Sequence, residues 1–118
     1  MENETLKEMQ TRMIKDFMDI IILTELRNGN TLSGYDVIDL IHREFGIVIS
    51  SGTVYSFLYS MERKGWIQGA LRDRSRVYLL TDKGREFIDA ILKSKEKIQR
   101  FMGVLIESRQ SITRTLSP

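Results

Sequence analysis

The hydrophobic pattern of this chain changes period at Trp66 and changes back at Thr81, and those two changes limit the folds open to it. Before Trp66, apolar residues recur at three- and four-residue steps, as on one face of a helix. Leu6, Met9, Met13, Phe17, Ile20 and Ile21, continued by Leu23 and Leu26, predict one long helix over about residues 5–27, stopped by Asn28-Gly29-Asn30. Its first three turns are longer than a small core requires, so they are expected to project and need a partner. Ser33 with Asp36 three residues on predicts a capping box for a second helix, whose buried side is Val37, Ile38, Leu40 and Ile41 and which Gly46 ends. Ile47-Val48-Ile49 reads as a short extended connector, and Ser50 then caps a helix over residues 51–64 that Gly65 closes. Trp66–Leu71 and Arg76–Leu80 predict a β-hairpin turning at residues 72–75. Thr81 caps a last helix running to about Ser108, and the polar tail from Arg109 to Pro118 is expected to fray.

The order helix, helix, helix, hairpin, long helix is mainly α with a small β element. It describes a helix-turn-helix followed by a β-wing, a winged helix-turn-helix, with a long C-terminal helix added. The expected division is residues 1–81 as a winged-helix DNA-binding domain with a projecting N-terminal helix, 82–108 as a dimerisation helix and 109–118 as a flexible tail. A chain of 118 residues can bury such a core without staples. It has no Cys, which excludes disulfides, a cysteine nucleophile and thiolate zinc sites. One His, His42, cannot hold a metal alone and is expected exposed on the second helix. With no nucleophile–base pair, no enzyme, metal or cofactor is expected. No apolar run approaches a membrane span, and Glu2 and Glu4 do not open a signal peptide, so the expectation is a soluble, cytoplasmic protein with no membrane partner.

Charge is unevenly placed. Residues 1–49 carry a net −4, residues 50–80 a net +3 and residues 81–118 a net +3, giving +2 for the whole chain. A basic middle behind an acidic front marks an anionic partner. On the helix over 51–64, Val54, Phe57, Leu58 and Met61 form the inward stripe, while Gly52, Tyr55, Ser56, Tyr59 and Arg63 collect on the other side. Small residues admit a groove, hydroxyls bond phosphates or base edges, and an arginine pairs with phosphate or guanine. The helix start, Ser51-Gly52-Thr53, presents free amides to a phosphate. Arg72, Arg74 and Arg76 alternate around the hairpin tip, where they reach a backbone or minor groove, and Lys64 adds charge at the helix end. The plain alternatives are that Tyr55 and Tyr59 pack on the wing or on a partner subunit, and that the arginines only protect a sheet edge. Trp66 is expected to pack at the base of the wing.

In the last helix Phe87, Ile91, Ser94, Ile98, Phe101 and Leu105 follow a near-heptad spacing, flanked by Met102. With Leu6, Met9 and Met13 this seam is expected to form a homodimer interface. Two recognition helices on a two-fold axis then read half-sites about 34 Å apart.

The runs Leu32-Ser33-Gly34-Tyr35-Asp36, Ser50-Ser51-Gly52-Thr53-Val54-Tyr55, Leu58-Tyr59 with Glu62-Arg63-Lys64-Gly65, Arg76-Val77-Tyr78-Leu79-Leu80-Thr81 and Lys83-Gly84 resemble the PadR-like transcriptional regulators, over roughly residues 17–92. The single short C-terminal helix is similar to that of the smaller PadR subfamilies. The resemblance implies a homodimeric winged-helix repressor of double-stranded DNA, with Thr53, Tyr55 and Tyr59 on the recognition helix and Arg72 to Arg76 in the wing. The family often has Pro where this chain has Ser51 and Ser56, and its drug-binding members use tryptophans where the last helix here has Phe87 and Phe101. A small-molecule effector is therefore left open. Two other uses of the fold stay beside this one: an architectural or partition protein coating DNA with weak preference, and a protein-interaction module.

Overall fold

A computed structural model describes residues 1–107 of the chain. The expected fraying tail from Arg109 and the helix end at Ser108 lie outside the described residues. The elements in order are α1 (Glu2–Asp16), α2 (Met18–Arg27), β1 (Leu32–Ser33), α3 (Gly34–Phe45), α4 (Ser51–Arg63), β2 (Ile67–Arg72), β3 (Ser75–Leu80), α5 (Asp82–Lys93) and α6 (Lys95–Leu105). They divide into two compact units, Met1–Ile88 and the residues from Asp89 onward.

Local chemistry places the boundaries. Ser33 and Asp36 form the reciprocal capping box: the Asp36 amide donates to the Ser33 hydroxyl at 3.0 Å, and the Ser33 amide donates to the Asp36 carboxylate at 2.9 Å. Gly46, at φ 67°, ends α3 in the left-handed conformation, and Gly65, at φ 80°, does the same just past α4. Thr81 does two jobs. Its hydroxyl donates to the Gly65 carbonyl at 2.6 Å and accepts from the Gly84 amide at 3.0 Å, tying the end of α4 to the start of α5.

Three expectations need correction. The helix read as 5–27 is two helices: Phe17 leaves helical dihedrals at φ −113°, ψ 23°, although its amide still donates to Met13 and its carbonyl still accepts from Ile21. No Gly or Pro marks that break, so no composition signal announces it. The last helix is likewise interrupted at Ser94, the polar position in the seam. The hairpin turn is only two residues, Asp73-Arg74, because β2 runs on through Arg72 and β3 starts at Ser75.

The sheet has three antiparallel strands in the order β1-β3-β2. Two-residue β1, opposite Val77 and Tyr78, was not expected, being too short to show a period. The core takes Met18, Ile22, Leu23 and Leu26 from α2, Val37 and Ile41 from α3, Val54, Leu58 and Met61 from α4, with Ile67, Tyr78 and Ile88. Trp66 packs at the base of the wing, its ring stacked on Phe87 at 4.2 Å between centroids.

At Gly84 the first turn of α5 lies directly against the backbone of Trp66. A methyl group there would collide with the Trp66 carbonyl, which is backbone and cannot swing aside. Gly84→Ala gains roughly 1 kcal/mol of helix propensity, yet overpacking of this kind costs about 1–3 kcal/mol. The expected outcome is a lower melting temperature, read by circular dichroism. An unchanged or raised value would mean that α5 can retreat from Trp66.

Candidate nucleic-acid interface

Helix α4 is held by one side. Val54, Leu58 and Met61 are fully buried, so the residues opposite must face out. Gly52, Ser56, Tyr59 and Arg63, at four-, three- and four-residue steps, are all exposed, with Tyr59 63% accessible. Open space surrounds Gly52, so a ligand can approach the backbone there. The Arg63 guanidinium lies 5.6 Å from the centre of the Tyr59 ring.

Two predicted contact residues are partly engaged inside the chain. Tyr55 rests on α3: its ring lies over Gly34 at the start of that helix, where a methyl group would sit 2.5 Å from the ring carbon Cζ. It remains half exposed. Thr53 serves the cap, with its amide 3.2 Å and its hydroxyl 2.9 Å from the Ser50 hydroxyl. Ser51 is exposed in the first turn, where helix amides lack intrahelical acceptors. Lys64 sits past the outer face, its ammonium 4.7 Å from the Trp66 ring centre.

The wing separates its three arginines. Arg72 pairs with Ser75 and Arg76 with Leu71, so Arg72 and Arg76 point to opposite faces of the ribbon. Arg74 is at the tip. Asp73 and Arg74 have φ of 50° and 68°, the pattern of a two-residue hairpin turn that prefers Asn-Gly or Asp-Gly. An arginine at the second position costs about 1–2 kcal/mol relative to a conformation with negative φ.

Arg76 does not extend to the tip with the others. Its Nη2 donates to both carboxylate oxygens of Glu62 on α4, at 2.9 and 3.1 Å. Glu62 also accepts from the Gly69 amide on β2 at 3.0 Å. The Gly69 hydrogen bond is the largest influence and holds the Glu62 carboxyl below its ordinary value of 4.5; burial opposes it, and the hydrogen bond and charge of Arg76 lower it further. The pairing of Glu62 was not expected, because nothing in the sequence joins it to an arginine 14 positions away.

The dimer residues expected on α1 and on the last helix, now α5 and α6, are only partly covered. Leu6, Met9, Ile98, Phe101 and Leu105 are exposed, and Met13, Ile91 and Met102 are half-buried. Phe87 is occupied by Trp66. His42 is exposed, as expected. Among the described residues no group of side chains could hold a metal, and no helix is long and apolar enough to cross a membrane.

Residues 22–90 match the transcriptional regulator PadR-like family. The chain belongs to that family. It is a DNA-binding transcriptional regulator of winged-helix fold. Similar solved structures include a PadR-like transcriptional regulator from Bacillus cereus, at 22% identity and TM-score 0.69 over 82% of this chain and 98% of that one. A PadR family regulator from Eggerthella lenta is 18% identical, with TM-score 0.68 over 91% of this chain and 96% of that one. F93 from STIV, a winged-helix DNA-binding protein, is 20% identical with TM-score 0.54, covering 79% of this chain and 92% of F93. No curated protein sequence matches the chain.

The lowered Glu62 value has a pH consequence in this PadR-like protein. A depressed carboxylate contributes stability that is complete above its unfolded value of 4.5 and is lost as pH falls through the folded value. Urea unfolding of the natural protein is therefore expected to lose stability below about pH 4.5 more steeply than that of Glu62→Gln. Parallel pH profiles would mean that the pair is too solvated to matter.

Proposed function

We propose that this regulator is a homodimeric, sequence-specific repressor that acts by occluding a promoter. The observation that carries the reading is the outer face of α4. A helix that merely met water would carry Lys and Glu, whereas this one exposes Gly52, Ser56, Tyr59 and Arg63. In the proposal that face enters the major groove, where hydroxyls and the arginine meet base edges and phosphates. Tyr55, resting on Gly34, lines the edge of the same surface. The Ser51-Gly52-Thr53 turn takes a phosphate, and Arg72 and Arg74 grip the backbone beside it. Exposed apolar side chains on α1 and α6 support the homodimer: Leu6 is 57% and Phe101 64% accessible. A two-fold dimer sets two copies of α4 about one DNA turn apart.

Binding is best tested by fluorescence anisotropy with the DNA upstream of the chain's own gene and a shuffled control. The expected preference is on the order of 10³ or more, with affinity on the order of 10⁻⁸ M. Equal, steeply salt-dependent binding to both would instead favour a DNA-coating role, and no binding to either would favour a protein-interaction module.

Arg74→Gly separates fold from function, because it relieves the left-handed turn while removing a charge. Thermal stability is expected to rise and DNA affinity to fall, with the salt slope shallower by about one unit. An unchanged slope would place Arg74 off the DNA. Phe101→Glu is expected to shift the sedimenting species toward monomer, and an unchanged mass would remove Phe101 from the interface.

A further inference from the structure

The outer half of the wing has little to lean on. Beyond the Ser33–Val77 pair β3 has no third strand among the described residues, so residues 71–76 form a two-stranded ribbon whose root is the Gly69–Tyr78 and Ala70–Val77 pairs. Such ribbons are marginally stable alone in water. Glu62 reaches out to it from the last turn of α4. One oxygen takes the Gly69 amide, which β2 as an edge strand would otherwise leave to solvent, and the pair of oxygens takes Arg76 from β3. One carboxylate therefore joins the recognition helix to both strands of the wing. Gly69 is part of the fit: a side chain there would strike the Arg76 guanidinium, which crosses above it.

We infer that Glu62 is a positioning residue for DNA recognition, fixing the wing's arginines relative to the outer face of α4 and holding Arg76 away from the phosphate backbone. This rests on the DNA-binding reading above. A rigid link means that helix and wing are satisfied together only where groove and backbone match their spacing, which favours the right site over bulk DNA. Holding Arg76 has a second effect. A cation paired with a carboxylate releases fewer DNA counterions than a free one, so it adds less to sequence-independent attraction.

The two effects give Glu62→Ala an unusual signature. Preference for the upstream DNA over the shuffled control is expected to fall by roughly tenfold. Affinity for the shuffled DNA is expected to rise, with its salt slope steeper by about one unit, because Arg76 is released to take a phosphate. Arg76→Gln is expected to lose the preference without the steeper slope. A residue with only a structural role would weaken both DNAs alike and leave the slope unchanged. Both variants are compared at a temperature where circular dichroism shows them folded.

A measurement without DNA accompanies these titrations. The Gly69 amide is expected to exchange its hydrogen faster in Glu62→Ala than in the natural protein, while the amides of Leu58 and Met61 keep their rates. Unchanged exchange at Gly69 would overturn the link between helix and wing. Natural protein that prefers its site, with a Glu62→Ala preference within twofold of it, would overturn the inference and spare the DNA reading. Natural protein with no preference would overturn both.

Discussion

The stripe of Val54, Leu58 and Met61 along α4 fixes what this molecule can present to a partner. Each side chain is buried to within 1% of completely, and burying an apolar side chain of this size contributes about 1.5–3 kcal/mol. Rotating α4 by about half a turn would expose that stripe and bury Tyr59 and Arg63 instead, so the helix has one orientation. Helices α2 and α3 pack against it, and Ile22, Leu26, Val37 and Ile41 of those helices are buried in the same core. The capping hydroxyl of Ser50 fixes where the helix begins, and Gly65 where it ends. The outward face is therefore set by the inward one.

Local conformational preferences are violated in one part of the molecule, and that is informative. Arg74 occupies a left-handed turn position that glycine would fill at no cost. Gly52 weakens the first turn of α4, where alanine would strengthen it and would meet no steric obstacle. Both sit on the surface proposed to meet DNA. Gly34 and Gly84 also forgo a side chain, but for packing: one admits the Tyr55 ring and the other the Trp66 carbonyl. Gly34 and Gly84 thus have atoms against them, whereas Gly52 faces open space.

Much of this was legible in the residues. Capping hydroxyls at Ser33, Ser50 and Thr81 and stop signals at Gly46 and Gly65 act locally, so the sequence states them directly. The period change at Trp66 likewise exposes the wing, because alternation and helical spacing do not mimic each other over this length. The contacts made at a distance were not legible. The Phe17 break carries no Gly or Pro, β1 is two residues long, and the Glu62–Arg76 pair joins elements with no shared periodicity. The outer face of α4 was legible as a set of residue types, but the engagement of Tyr55 with Gly34 depends on how α3 crosses it.

The central claim is that the outer face of α4 and the tip of the wing meet DNA while α1 stays clear of it. Amide chemical-shift mapping of the protein with a duplex carrying its upstream sequence tests this residue by residue. The account predicts shifts concentrated at Ser51, Gly52, Ser56 and Tyr59 and at Arg72 to Arg74, with the amides of Leu6 to Thr11 unmoved. Shifts spread over α1 with none on α4 would contradict it.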